Sequence, residues 1–269
     1  MAVHDGYARF TAYELLLPDP EFPNRRLATI GAEARERGVD AGNPAAFVML
    51  ASVQGALAEL REEGAGPESA HEHAGILFFA YHFWRAGTEV VLVRRKTVRT
   101  LLAGGAETVG EPAWEDGLAG RAGYVQLPQH LVWMESPDQP PESVDGFFWC
   151  CDEGGVLHLA LVAGIRRDRP GFVVATVPPQ PLAAMPGWGS GPAREGGGDF
   201  ATALPGAELE GLVGIRTHAE VFKLAAVLLG RVAHEAPEPH PHRPPAAPGS
   251  GPRPSDSDPR PTRLPFAVL

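Results

Sequence analysis

Apolar positions along the chain follow three different rhythms. Up to residue 63 they recur three or four apart, as in Phe47, Leu50, Ala51, Val53, Leu57 and Leu60, the spacing of an amphipathic helix. Between 74 and 84 every position is apolar except His82. A helix with no polar face must be covered on all sides. It is too short for the roughly 20 residues that cross a bilayer, so it is expected at the centre of the fold. From residue 123 the runs shorten and are separated by turn formers, which predicts strands.

Local punctuation sets the boundaries. Asn24 reads as the N-cap of a helix through Arg37 that Gly38 ends. Asn43-Pro44 opens a second helix running to about Glu63, because proline is pre-organised for a first helical turn. Ser69 and Glu72 have capping-box spacing at the start of the central helix, and Gly87 suits its left-handed end. Residues 10–17 fit a short helix or a strand equally well. A buried strand is expected at 89–93, followed by a short helix from Lys96 or Thr97 to Ala103.

Further strands are expected at 124–127, 131–135, 147–151, 156–165 and 172–177, with 136–143 a loop. The connections 152–155 and 166–171 are short and rich in turn formers, so the last three strands form an antiparallel meander. Thr217 and Glu220 repeat the capping box before an apolar helix. Eleven of the last 36 residues are proline, a composition that cannot build a core.

The expected fold class is therefore α+β: an N-terminal helical layer packed on an antiparallel β-meander, with a C-terminal core helix and a disordered tail. One domain is expected over 1–234. Its helical part covers about 7–86, its sheet part about 89–178, a mobile loop 179–206 and the C-terminal helix 217–233. Residues 235–269 are expected to lie outside it as a Pro-rich tail. That tail closes on Leu264-Pro265-Phe266-Ala267-Val268-Leu269, an apolar peptide able to dock on another chain or on its own domain by adding to a sheet edge.

Composition changes this picture little. A net charge of −10 argues against broad adhesion to nucleic acid or anionic membrane. The absence of a long apolar run and of a signal pattern at the first residues makes the cytoplasm the expected location. Cys150 and Cys151 are adjacent, so they supply no disulfide framework.

Most candidate chemistry fails on spacing. His71-Glu72-His73 lacks the second histidine four residues on that a zinc-protease helix needs, since Gly75 stands there. His71 and His82 share a face but lie ~16 Å apart along the axis. His218-Ala219-Glu220 matches half of a zinc-deaminase signature, and no cysteine follows to complete it. The glycine-rich stretch 187–198 has neither a P-loop lysine nor a nucleophile elbow. Neighbours on a strand face opposite ways, so one thiol of the cysteine pair is expected buried and the other exposed. No metal site is assigned, and the sequence names no cofactor.

Arg94, Arg95, Lys96 and Arg99 are different, because they stand where a strand feeds a helix. Cations oppose the dipole of a helix N-terminus, and an anion bound there relieves the conflict. Arg166, Arg167 and Arg169 form a second cluster at a turn. The expected function is a soluble, non-catalytic binding or assembly protein. It engages an anionic small molecule or an acidic protein partner through Arg94, Arg95, Lys96 and Arg99, with an interaction tail and no membrane role. The oligomeric state is left open. The alternative is an enzyme of unrecognised type, hydrolytic in class, with a site under the loop 187–198 and acids such as Asp145, Asp152 or Glu153.

Overall fold

Strand alternation sorts the sheet's apolar side chains into two cores. Along β4 (Gln139–Cys151), Phe148 and Cys150 face one way while Phe147, Trp149 and Cys151 face the other. The Phe148 face is covered by α1 (Ala12–Leu16), α2 (Ala28–Arg37), α3 (Pro44–Val48), α4 (Ala51–Glu63) and α5 (Ala70–Arg85). The opposite face is covered by α6 (Arg95–Gly104) and α7 (His218–His234). The computed structural model describes residues 6–8, 10–63, 70–104, 118–136, 139–165, 171–184, 213–215, 218–234, 238–239 and 264–269.

The remaining strands are β1 (Val90–Leu92), β2 (Ala122–Gln126), β3 (Val132–Ser136), β5 (Val156–Ala163), β6 (Val173–Pro181), β7 (Val213–Ile215), β8 (Glu238–Pro239) and β9 (Phe266–Val268). Their order is β6-β5-β4-β2-β1-β9-β8, with β3 and β7 branching from β4. The fold is thus α+β around a mixed sheet. β4, β5 and β6 pair antiparallel in sequence order, and β2 pairs antiparallel with β4. β1 lies parallel both to β2 and to β9. Parallel neighbours need a crossover, and α6 lies on the path from β1 to β2.

The central helix α5 is the seam of the first core. Phe83 meets Tyr13, Tyr124 and Phe148, and Phe79 meets Phe148, all with ring centroids 5.2–6.3 Å apart. His82 is half-buried; its Nε2 pairs with the Ala41 carbonyl at 2.9 Å and its ring packs against Phe78. His82→Ala is expected to lower unfolding free energy by about 2 kcal/mol, through lost packing and a stranded carbonyl. Urea denaturation checks this, and a loss below ~0.5 kcal/mol would remove the ring from the core argument.

Several expectations need correction. The helix expected from 43 to 63 is two helices. The Met49 and Leu50 N–H groups bond three residues back, and Glu33 of α2 accepts from Ala51 and Ser52 to cap α4. Hydrogen bonding from Ser52, side chain and N–H, then from Arg37 and last from the Ala51 N–H, holds the Glu33 carboxyl down to about 2. Asn24 is not a cap, because a π-helical turn, Pro23–Leu27, runs straight into α2. Residues 10–17 contain α1, opened by a Thr11–Glu14 capping box whose spacing was readable.

Prolines misled the strand limits. Pro140 and Pro141 lie in β4, and Pro178, Pro179 and Pro181 lie in β6 rather than in a loop. Both stretches are edges with a partner on one side, where a missing N–H costs no ladder bond. Both cysteines are buried, since helices cover both faces, and burial pushes Cys150 up to about 12 and Cys151 up to about 11. Residues 264–269 do not sit outside the domain. Phe266, Ala267 and Val268 are buried as β9 beside β1. The expected loop from 185 to 206, Ser69, Thr217 and residues 240–263 lie outside the described residues.

Candidate functional site

Two short elements meet where β1 turns into α6. Val93 and Arg94 link them, and the Arg94 carbonyl accepts the first helical bond, from the Val98 N–H at 3.0 Å. Arg94 is therefore the N-cap, with Arg95, Lys96 and Thr97 in the first turn, where backbone N–H groups lack intrahelical partners. Three cations in this position work against the helix dipole.

A backbone oxygen from the far end of the chain faces this turn. Strand β9 runs along β1 in the register Val90↔Phe266, Val91↔Ala267 and Leu92↔Val268. The Val90 N–H donates to the Pro265 carbonyl at 2.9 Å, and the Leu269 N–H donates to the Leu92 carbonyl at 2.8 Å. The backbone oxygen of Leu269 then accepts from the Arg94 N–H at 3.0 Å and from the Thr97 hydroxyl at 3.4 Å. The apolar peptide thus delivers an oxygen to the basic turn.

Arg95 is held from the other side. Its Nη2 donates to the Gln129 carbonyl at 2.9 Å. Gln129 is fixed in turn: its Nε2 donates to Asp145 Oδ1 at 2.7 Å and to the Ile165 carbonyl at 2.9 Å. The next residue, His130, has φ +60° and donates its N–H to Ser143 Oγ at 2.8 Å. The Tyr7 hydroxyl closes the floor, donating to the Val93 carbonyl at 2.9 Å. Arg94 and Lys96 are exposed, and neither is paired with a carboxylate among the described residues. Arg99 is exposed as well, on the same helix. The second cluster, Arg166, Arg167 and Arg169, lies outside the described residues.

The acids of the enzymatic alternative do not converge. Asp145 is fully buried, and burial raises its pKa to about 6. Both its oxygens are engaged, Oδ1 by Gln129 and Oδ2 by the Ile165 N–H at 2.7 Å. Asp152 shapes the β4–β5 turn by accepting the Val156 N–H at 2.8 Å, and Glu153 is exposed in the same turn. Asp152 follows Asp145 by seven residue steps along and just past β4, roughly 24 Å. The loop 187–198 lies outside the described residues.

His158 Nε2 lies 3.8 Å from Asp152 Oδ2, too far for a hydrogen bond. Among the described residues no three His, Cys, Asp or Glu side chains are grouped to hold a metal. No helix among them is long and apolar enough to cross a membrane.

The class that fold and site define is a mixed sheet, helix-covered on both faces, whose β1 edge carries an added apolar strand ending at a basic helix N-terminus. Comparison with protein-family models, curated proteins and solved structures finds no match.

Proposed function

We propose that the protein is a non-catalytic binding or assembly protein that engages an acidic partner or anionic ligand through Arg94, Arg95, Lys96 and Arg99. One observation carries the reading: an oxygen lies at the first turn of α6, bonded to the Arg94 N–H and the Thr97 hydroxyl, beside Arg94 and Lys96, which have no carboxylate partner among the described residues. A helix N-terminus favours negative charge, and the adjoining β1 edge supplies backbone donors and acceptors for an extended peptide. The ligand that fits is a short apolar strand ending in an anionic group. Residues 264–269 occupy the place such a ligand would take.

The test uses the full chain with Phe266→Asp and Val268→Asp, which disable its own strand, and a fluorescent peptide Leu-Pro-Phe-Ala-Val-Leu with a free carboxylate. Adding Arg94→Glu and Lys96→Glu is expected to weaken binding about tenfold and to flatten its salt dependence. The amidated peptide should likewise bind more weakly. Affinity and salt dependence unchanged by charge reversal would refute the reading.

A further inference from the structure

We propose that the 264–269 strand is exchangeable between copies, so that the partner at the β1 edge is the same strand of a second chain. This rests on the reading that the β1 edge and the α6 N-terminus form a binding site, and it names the occupant.

The strand's ladder bonds to β1 and to the first turn of α6 are made by residues 265–269. The backbone bonds join Pro265 and Leu269 to Val90, Leu92 and Arg94. Phe266 and Val268 enter the core under the helical layer, and Leu269 packs against the core on the other face. None of these contacts depends on which body the strand is tethered to. A second copy carries both the strand and its acceptor, so the exchanged arrangement repeats the same bonds and closes reciprocally as a two-fold pair.

The tether permits it. Twenty-four residues, 240–263, join β8 to Leu264, and eight of them are proline. Covalent geometry lets them span up to roughly 80 Å. A domain of this length is only about 45 Å across, so the strand can reach the same edge on a neighbour. On its outer side, among the described residues, β9 pairs with the two residues of β8, Glu238 and Pro239.

The alternative to occupancy is unfavourable. Without β9 the β1 edge would present unpaired backbone groups and bare Val90 and Leu92, a template for uncontrolled pairing. Release from one body is therefore coupled to capture by another. A tether of this kind gives an effective concentration of order 1 mM, so the closed monomer holds at micromolar protein and exchange grows as concentration approaches that value.

The experiment mixes isotopically heavy and light full-length protein at rising concentration and reads native mass spectra. Mixed dimers that increase toward ~1 mM and vanish in Phe266→Asp are the expected result. Dimers that persist in Phe266→Asp would place the contact elsewhere and overturn the proposal. A second measurement traps the register: Val91→Cys with Ala267→Cys, oxidised and run on a non-reducing gel. Interchain species joining heavy to light chains support exchange, and intrachain bridges alone at every concentration overturn it. Failure here with intact peptide binding leaves the anion-binding reading standing. Loss of peptide binding while dimers persist would remove that reading alone.

Discussion

Gly146→Ala is expected to cost about 3 kcal/mol of unfolding free energy, the upper range for overpacking a core. A methyl group at this position would lie 2.3 Å from the Val125 carbonyl oxygen and 2.7 Å from the Tyr124 hydroxyl. The first contact is with backbone, so no rotamer relieves it. Tyr124 is fully buried between Phe83 and Phe148 and has nowhere to swing. Gly146 also borders the register shift between β4 and β5. The control is Gly55→Ala, mid-helix in α4, where an added methyl meets nothing within 4 Å. That change is expected to stabilise by roughly 0.5–1 kcal/mol. Urea denaturation of both variants checks the pair. A cost below ~1 kcal/mol for Gly146→Ala would mean that β4 slides at the bulge instead of clashing.

The contrast explains what was readable. Local signals located α5, α6, the β4–β5–β6 meander and the Asn43 cap, because each depends on residues a few positions apart. The same logic would have found the Thr11–Glu14 box. It could not place β9, whose acceptor Val90 is 176 positions before Phe266, and no pattern within 264–269 encodes that distance. It suggested docking on a sheet edge of the same domain without identifying the edge. Prolines in β4 and β6 looked like loop signals because an edge strand differs from a loop only in what pairs on one side. The basic cluster at 94–99 was legible as a conflict with the helix dipole. The oxygen that answers it came from the far end of the chain. Trans capping of α4 by Glu33 was invisible for the same reason.

The second large effect is a pair of opposing pH dependences. Burial first, with Glu142 adding repulsion, raises Asp145 from 3.8 to about 6; the bonds from Gln129 and the Ile165 N–H work the other way. Between pH 6 and 4 the folded state holds this proton and the unfolded chain does not, so acid favours the folded state. The stability it adds is full below about pH 4 and is lost as pH rises to about 6. Burial lowers His82 from 6.5 to about 4, helped by the charges of Arg85 and His158 and opposed by Asp40 and the Ala41 bond. Here the unfolded chain takes the proton first, so stability present above about pH 6.5 is lost as pH falls toward 4. Each shift of about two units corresponds to roughly 3 kcal/mol, less for the half-buried His82. Measuring differences between variants cancels every other group. Wild type minus Asp145→Asn is expected to grow by about 2–3 kcal/mol in favour of wild type from pH 7 to pH 4. Wild type minus His82→Gln should shrink by about 2 kcal/mol over the same range. Denaturant titrations at each pH give both differences. Parallel curves for wild type and Asp145→Asn would show that Asp145 stays ionised in the fold, and that Gln129 and the Ile165 N–H outweigh its burial.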